Sequence, residues 1–180
     1  MGVAEIPRGL ADLQVAPLTG SAFTLGAWVD VPGARSLAFA ISSDSDELEG
    51  DNKIIAKARN PKSLTGSIEI GQINLAALAV MLGGEAETTG TAPAAVTKLE
   101  EADGVTNAYY RICGQAPGVD AEGSAYRATI LRAITTSGLD ETMEVNAWNT
   151  PSLDFEGLAH NGVLLVREQF ETEVALPPAA

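Results

Sequence analysis

Residues 36–42 alternate without a break, with Leu37, Phe39 and Ile41 on one side and Ser36, Ala38, Ala40 and Ser42 on the other. Period two with one polar side is the signature of a half-buried strand, because successive side chains point to opposite faces of a sheet. The pattern returns over residues 64–73, where Ile68 and Ile70 face one way and Ser67, Glu69 and Gly71 the other. Between these strands lies a charged excursion. Asp44, Asp46, Glu47, Glu49 and Asp51 come first, and Lys53, Lys57, Arg59 and Lys62 follow. Leu48, Ile54 and Ile55 are its apolar members. Folded back as a hairpin, the acidic and basic arms would neutralise each other; alternatively, the projecting arm meets a patch of opposite sign on another copy of the chain.

One helix is legible, over residues 74–82. Asn74 suits an N-cap, Leu75, Leu78, Ala79 and Leu82 recur on one face, and Gly83-Gly84 suits the left-handed end. Residues 85–93, rich in Thr and Gly, read as a loop or short hairpin. Further strands are expected at 96–101, 109–114, 125–135, 141–149, 152–158 and 163–172, separated by turn pairs such as Pro117-Gly118 and Asn161-Gly162. Residues 1–33 are mixed, with Gly and Pro punctuation, and residues 176–180 read as a fraying tail. The fold expected is mainly β, a sandwich or barrel with one short helix and a long strand-connecting loop, in a single domain spanning 1–180.

Composition narrows the function. The 180 residues carry 24 Asp plus Glu against 11 Lys plus Arg, a net charge of −13, which opposes binding to a phosphate backbone. Charged residues are only 19%, and mean hydropathy is +0.10, so the acid does not signal disorder. One Cys and one His exclude a disulfide framework and the usual zinc sites. No basic-then-apolar leader opens the sequence, and the most apolar run, 75–82, is too short to span a bilayer.

Catalytic signatures are thin. Cys113 and His160 would form a nucleophile and base only if the fold brought them together; Cys113 reads as an apolar filler in a strand and His160 as solvated. Counted from Asp44, the acidic run places Leu48, Glu49 and Ile55 where a calcium loop wants Asp or Asn, Gly and Glu, leaving at most a weak ion site. Glycine-rich phosphate loops are missing. Asp154 and Glu156 share a strand face, as solvated acids commonly do, and the tryptophans that a sugar platform would want are two, Trp28 and Trp148. The expectation is no catalytic residue, no metal and no cofactor.

The ordered segments Ala34-Arg35-Ser36-Leu37-Ala38-Phe39, residues 43–53, Arg59-Asn60-Pro61-Lys62, Gly66-Ser67-Ile68-Glu69-Ile70-Gly71, Asn74-Leu75-Ala76-Ala77-Leu78 and residues 146–157 together resemble the major tail (tail tube) proteins of phages with long, non-contractile tails, especially those of actinobacterial hosts. The likeness runs from about residue 34 to 172. It implies a structural building block of the virion, assembled in the host cytoplasm. Subunits of this family form hexameric rings that stack into a tube. Each is a β sandwich flanked by a helix, and a long loop reaches the neighbouring ring. One sheet of every subunit joins a barrel around a lumen through which DNA passes without specific binding. The implied partners are other copies of the chain, the tape-measure protein, the tail terminator and the tail-tip proteins, with no membrane.

On this resemblance the ring-to-ring arm spans 44–62: Asp44, Asp46, Glu47, Leu48, Glu49, Asp51, Lys53, Ile54, Ile55, Lys57, Arg59 and Lys62. Lumen candidates are Ser36, Ala38, Ala40, Ser42, Ser67, Glu69, Glu144, Asp154 and Glu156, whose polarity and charge would keep DNA from sticking. Other classes remain alongside: a related virion or secretion-tube component, or a β-sandwich carbohydrate-binding module.

Overall fold

The computed structural model describes residues 9–43, 45–50, 53–59, 62–100, 108–118, 124–171 and 176, and over 45–50 and 53–59 it describes the backbone alone. The chain is mainly β, in the order β1 (Asp12–Thr19), β2 (Thr24–Leu25), β3 (Val29–Asp30), β4 (Ala34–Ser42), β5 (Ser45–Gly50), β6 (Lys53–Arg59), β7 (Ser63–Ile70), α1 (Leu75–Leu82), β8 (Ala86–Thr89), β9 (Val96–Leu99), β10 (Tyr109–Pro117), β11 (Ala125–Thr135), β12 (Ser152–Gly157) and β13 (Leu165–Phe170).

A nine-stranded antiparallel sheet runs β2-β1-β10-β11-β12-β7-β4, with β3 also on β1 and β13 also on β11. The branch at β11 shapes the molecule. Residues 125–130 of β11 pair with β13, whereas 133–135 pair with β12. The β12-β7-β4 limb therefore leaves from one end of β11 and curls back over β1 and β10. A single core results: Leu13, Val15, Ile112 and Ile130 from one limb pack with Leu64, Ile68, Leu153 and Phe155 from the other. Among the described residues no ladder joins β4 to β1, so the sandwich has an open seam and is not a closed barrel.

Helix α1 covers the core beside β1. Asn74 caps it as its composition suggests: Oδ1 accepts from the Ala76 N–H at 3.0 Å, while Nδ2 donates to the Asp30 carbonyl at 3.0 Å. Gly83, at φ 83°, ends it by donating its N–H to the Ala79 carbonyl. The buried face is Ala77, Leu78, Ala79 and Met81, turned from the expected stripe; Leu75 and Leu82 are half-buried. The difference arises because sheet and hairpin cover the helix from two sides, so Met81 points to the core while Leu82 lies at its margin.

Three sequence expectations are corrected. Residues 12–30 hold β1, β2 and β3, although the sequence shows no alternation there. Leu13, Gln14, Val15 and Ala16 are all buried, so both faces of β1 are covered and the polar period is lost. Residues 141–149 alternate but form no strand: Met143, Val145 and Trp148 are 80%, 91% and 94% exposed, and no strand among the described residues pairs with them. Leu176, assigned to the tail, is buried, while 177–180 lie outside the described residues. The 85–93 segment, by contrast, enters the β8–β9 hairpin.

Candidate functional site: a polar sheet face and a charged arm

The β12-β7-β4 limb sorts its side chains cleanly between two faces. Inward rows are Leu37–Ile68–Leu153, Phe39–Gly66–Phe155 and Ile41–Leu64–Gly157. The outward rows are Ser36–Glu69–Ser152, Ala38–Ser67–Asp154 and Ala40–Thr65–Glu156, with Ser42–Ser63 beyond them. Eight of the nine predicted face residues, all except Glu144, thus fall on one side of three adjacent strands. Ala38, Ala40, Ser42 and Asp154 are exposed, and Ser36, Ser67, Glu69 and Glu156 are half-buried.

Close packing beneath explains why this face is smooth. A Cβ at Gly66 would strike the Ala38 carbonyl and lie 2.5 Å from Phe155 Cζ, so the Phe155 ring crosses under β7 where only glycine leaves room. The outward rows carry no bulky residue at the equivalent centre: Ala38, Ser67 and Asp154 line a shallow hollow there with Ala40, Thr65 and Thr136, and Phe39 and Phe155 reach it from beneath, past Gly66.

The face is acidic, but less so than the composition alone implies. A register shift between Ala34 and Ser36 takes Arg35 out of the ladder, and its guanidinium meets Glu69 at 3.2 Å. That pair is solvent-exposed and worth little energy, yet it offsets the Glu69 charge. Asp154 and Glu156 carry the remaining carboxylates of these rows.

Glu144 is not part of this surface. It sits in the irregular segment between Asp140 and Ser152 and lines a separate hollow with Thr142, Ala147 and Trp148. The strand expected over 141–149 finds no partner among the described residues, so Glu144 lies on no strand face.

The charged excursion is a hairpin. Strands β5 and β6 form their own two-stranded sheet, separate from the main one. Its register sets Ser45 opposite Arg59, Glu47 opposite Lys57 and Gly50 opposite Lys53, with a shift between Leu48 and Glu49. Glu47 and Lys57 thus stand at one cross-strand position, while Asp46 stands opposite Ala58 and Glu49 opposite Ile54. Internal neutralisation is therefore partial in register. Asp44 and Asp51, as well as the side chains of the other arm residues up to Arg59, lie outside the described residues. Lys62, at the arm's base, is exposed.

The nucleophile–base candidates stay apart. His160 is half-buried rather than solvated, its ring 6.1 Å from that of Phe23, which in turn meets Tyr109. Cys113 is four residues further along β10, about 13 Å of strand. Its thiol is buried, accepts a 3.5 Å contact from Thr129 Oγ1, and is pushed up in pKa by burial. Raising the thiol pKa removes the thiolate a nucleophile needs. Among the described residues no cluster of His, Cys, Asp and Glu is arranged to hold a metal, and no helix is long and apolar enough to cross a membrane. Compared against protein-family models and curated proteins, the chain has no match.

Proposed function

We propose that this protein is the structural subunit of a phage tail tube, which assembles with its own copies into stacked hexameric rings and lines the conduit for DNA ejection. The observation that carries the reading is the polar face of β4, β7 and β12, continuous with a charged arm that extends between β4 and β7. A face of Ser, Ala and Thr with carboxylates, on which the one neighbouring cation described, Arg35, is paired with Glu69, repels a phosphate backbone, which is what a conduit requires.

Assembly chemistry follows from the edges. Strand β4 ends the main sheet with an unpaired edge, as does β13 on the far side of β11 among the described residues. Free edges invite pairing with another chain, and repeated head-to-tail pairing closes into a ring if the rotation permits. The arm, with acid on β5 and base on β6, then reaches the next ring, where acid of one copy can meet base of another. The tape-measure protein would fill the lumen before DNA, and the terminator and tip proteins would cap the two ends. Virion tail is the location this reading implies.

Negative-stain microscopy of the concentrated protein tests it. Hollow tubes or rings of constant diameter support the assignment. A strictly monomeric protein that binds glycans would instead favour a carbohydrate-binding module.

A further inference from the structure

Trp148, Val145 and Met143 are the most exposed large apolar side chains among the described residues, and they lie within one short segment. That segment is held, not loose. At its base Asp140 and Ser152 exchange backbone hydrogen bonds of 2.9 and 3.0 Å, Asn149 Nδ2 donates to Glu141 Oε1, and Asn146 takes a left-handed turn at φ 64°. The loop therefore presents an apolar tip at low ordering cost. Large apolar groups so displayed on a single chain mark a binding surface, and tryptophan is a preferred anchor of interfaces.

A matching recess exists on the same molecule. At the seam, where no ladder among the described residues joins β4 to β1, lies a cleft of about 370 Å³ lined by Leu10, Leu37, Phe39, Ala116, Tyr126 and Ala128. That volume falls among clefts of roughly 300–1,000 Å³ that take organic molecules the size of an indole or larger. Trp148 of the same chain does not line it. Charge favours the same match. Asp140, Glu141 and Glu144 flank the apolar tip, and Arg35 stands at the cleft rim with a side chain 57% exposed. Its exposed pair with Glu69 is weak enough to exchange.

We infer that the 140–152 loop of one copy seats Trp148 in the seam cleft of the next. The contact is heterologous, tip to recess, so each copy offers one of each and the chain of contacts propagates. It fills the gap at the seam between β4 and β1 left among the described residues. The inference rests on the self-assembly part of the reading above and names the contact through which copies meet; the arm 44–62 takes no part in it.

Two variants that keep Trp148 and each add one thiol to the buried Cys113, A147C at the tip and A116C in the cleft, test it with a short bis-maleimide. Mixed together at assembly concentration they should give a covalent dimer that neither gives alone, and the A147C/A116C double variant should give a ladder. Absence of the mixed dimer, or a bridge formed only within one chain, overturns the contact. A second readout needs no new thiol. In Trp28→Phe, Trp148 is the sole tryptophan, and its emission should shift to shorter wavelength on assembly; emission that stays solvent-like in the assembled protein overturns it. Tubes that form with Trp148 solvent-exposed would sink this contact and leave the tube reading standing. Cross-linked copies that never build a tube would do the reverse.

Discussion

The hydroxyls of Ser42 and Ser63 lie 2.7 Å apart, at the last paired position of β4 and β7 before the chain departs into the arm. This contact marks where the main sheet ends and the segment holding the separate β5–β6 hairpin begins. Because the β4–β7 ladder is complete up to this point, the body does not need the arm. Replacing residues 44–61 by Asn-Gly, a two-residue turn suited to joining antiparallel strands, should leave a folded monomer with a melting temperature within a few degrees of the parent. The same protein should fail to form tubes by electron microscopy. A shortened protein that polymerises normally would show that the arm is not the ring-to-ring element.

Gly66 sets the floor of the polar face. Gly66→Ala would drive a methyl into the Phe155 ring and the Ala38 carbonyl, and overpacking of this kind costs about 1–3 kcal/mol. Gly138, where an added methyl would meet nothing within 4 Å, is the control, and its alanine variant should be near neutral in urea denaturation. Equal stabilities for the two would contradict the close crossing of Phe155 beneath β7.

A buried relay ties α1 to the sheet. Thr135 Oγ1 donates to the Met81 carbonyl at 2.6 Å, so its single proton is committed, and Tyr110 must donate to Thr135 across 3.1 Å. Thr135→Val strands both the carbonyl and the phenol and should cost about 1–3 kcal/mol. Tyr110→Phe removes only a donor, and about 0.5–1.5 kcal/mol is expected. Chemical denaturation of the two variants checks the order, and a larger loss for Tyr110→Phe would reverse the assigned direction of the relay.

Legibility in the sequence followed the number of covered faces. Strands β4 and β7 were readable because one side of each is wet, which preserved the alternation of Leu37, Phe39 and Ile41 and of Ile68 and Ile70. Acid followed by base allowed a hairpin in the arm without requiring one, whereas Asn74 and Gly83 marked the helix ends. Strand β1 was hidden because Leu13 through Ala16 are buried on both sides and Pro17 breaks the strand composition. The strand expected over 141–149 is corrected for the opposite reason: Met143 and Val145 keep strand periodicity without a described strand beside them. Period reports which side chains alternate, not whether a neighbour exists to pair with. The Trp148 tip and the seam cleft depend on that missing neighbour, and so neither could be read from pattern.

Burial pushes the Tyr110 phenol well above its ordinary pKa, despite the Thr135 hydrogen bond that acts in the other direction. In the unfolded chain the phenol ionises near pH 10. Above that pH the unfolded state binds fewer protons than the native one, so stability falls as pH rises. This contribution is fully present below about pH 10. Urea midpoints measured from pH 9 to 12 should fall more steeply for the parent than for Tyr110→Phe. Parallel slopes would mean that Tyr110 is not held neutral in the core.

The central claim is that the face of β4, β7 and β12 lines a channel. Ala38 is exposed at the middle of that face, and the native thiol, Cys113, is buried, so Ala38→Cys places a single accessible thiol there. Cryo-electron microscopy of tubes formed from this variant, carrying a small heavy-atom label, locates the face directly. Label density inside the lumen is the predicted result. Density on the outer wall of the tube would contradict the claim.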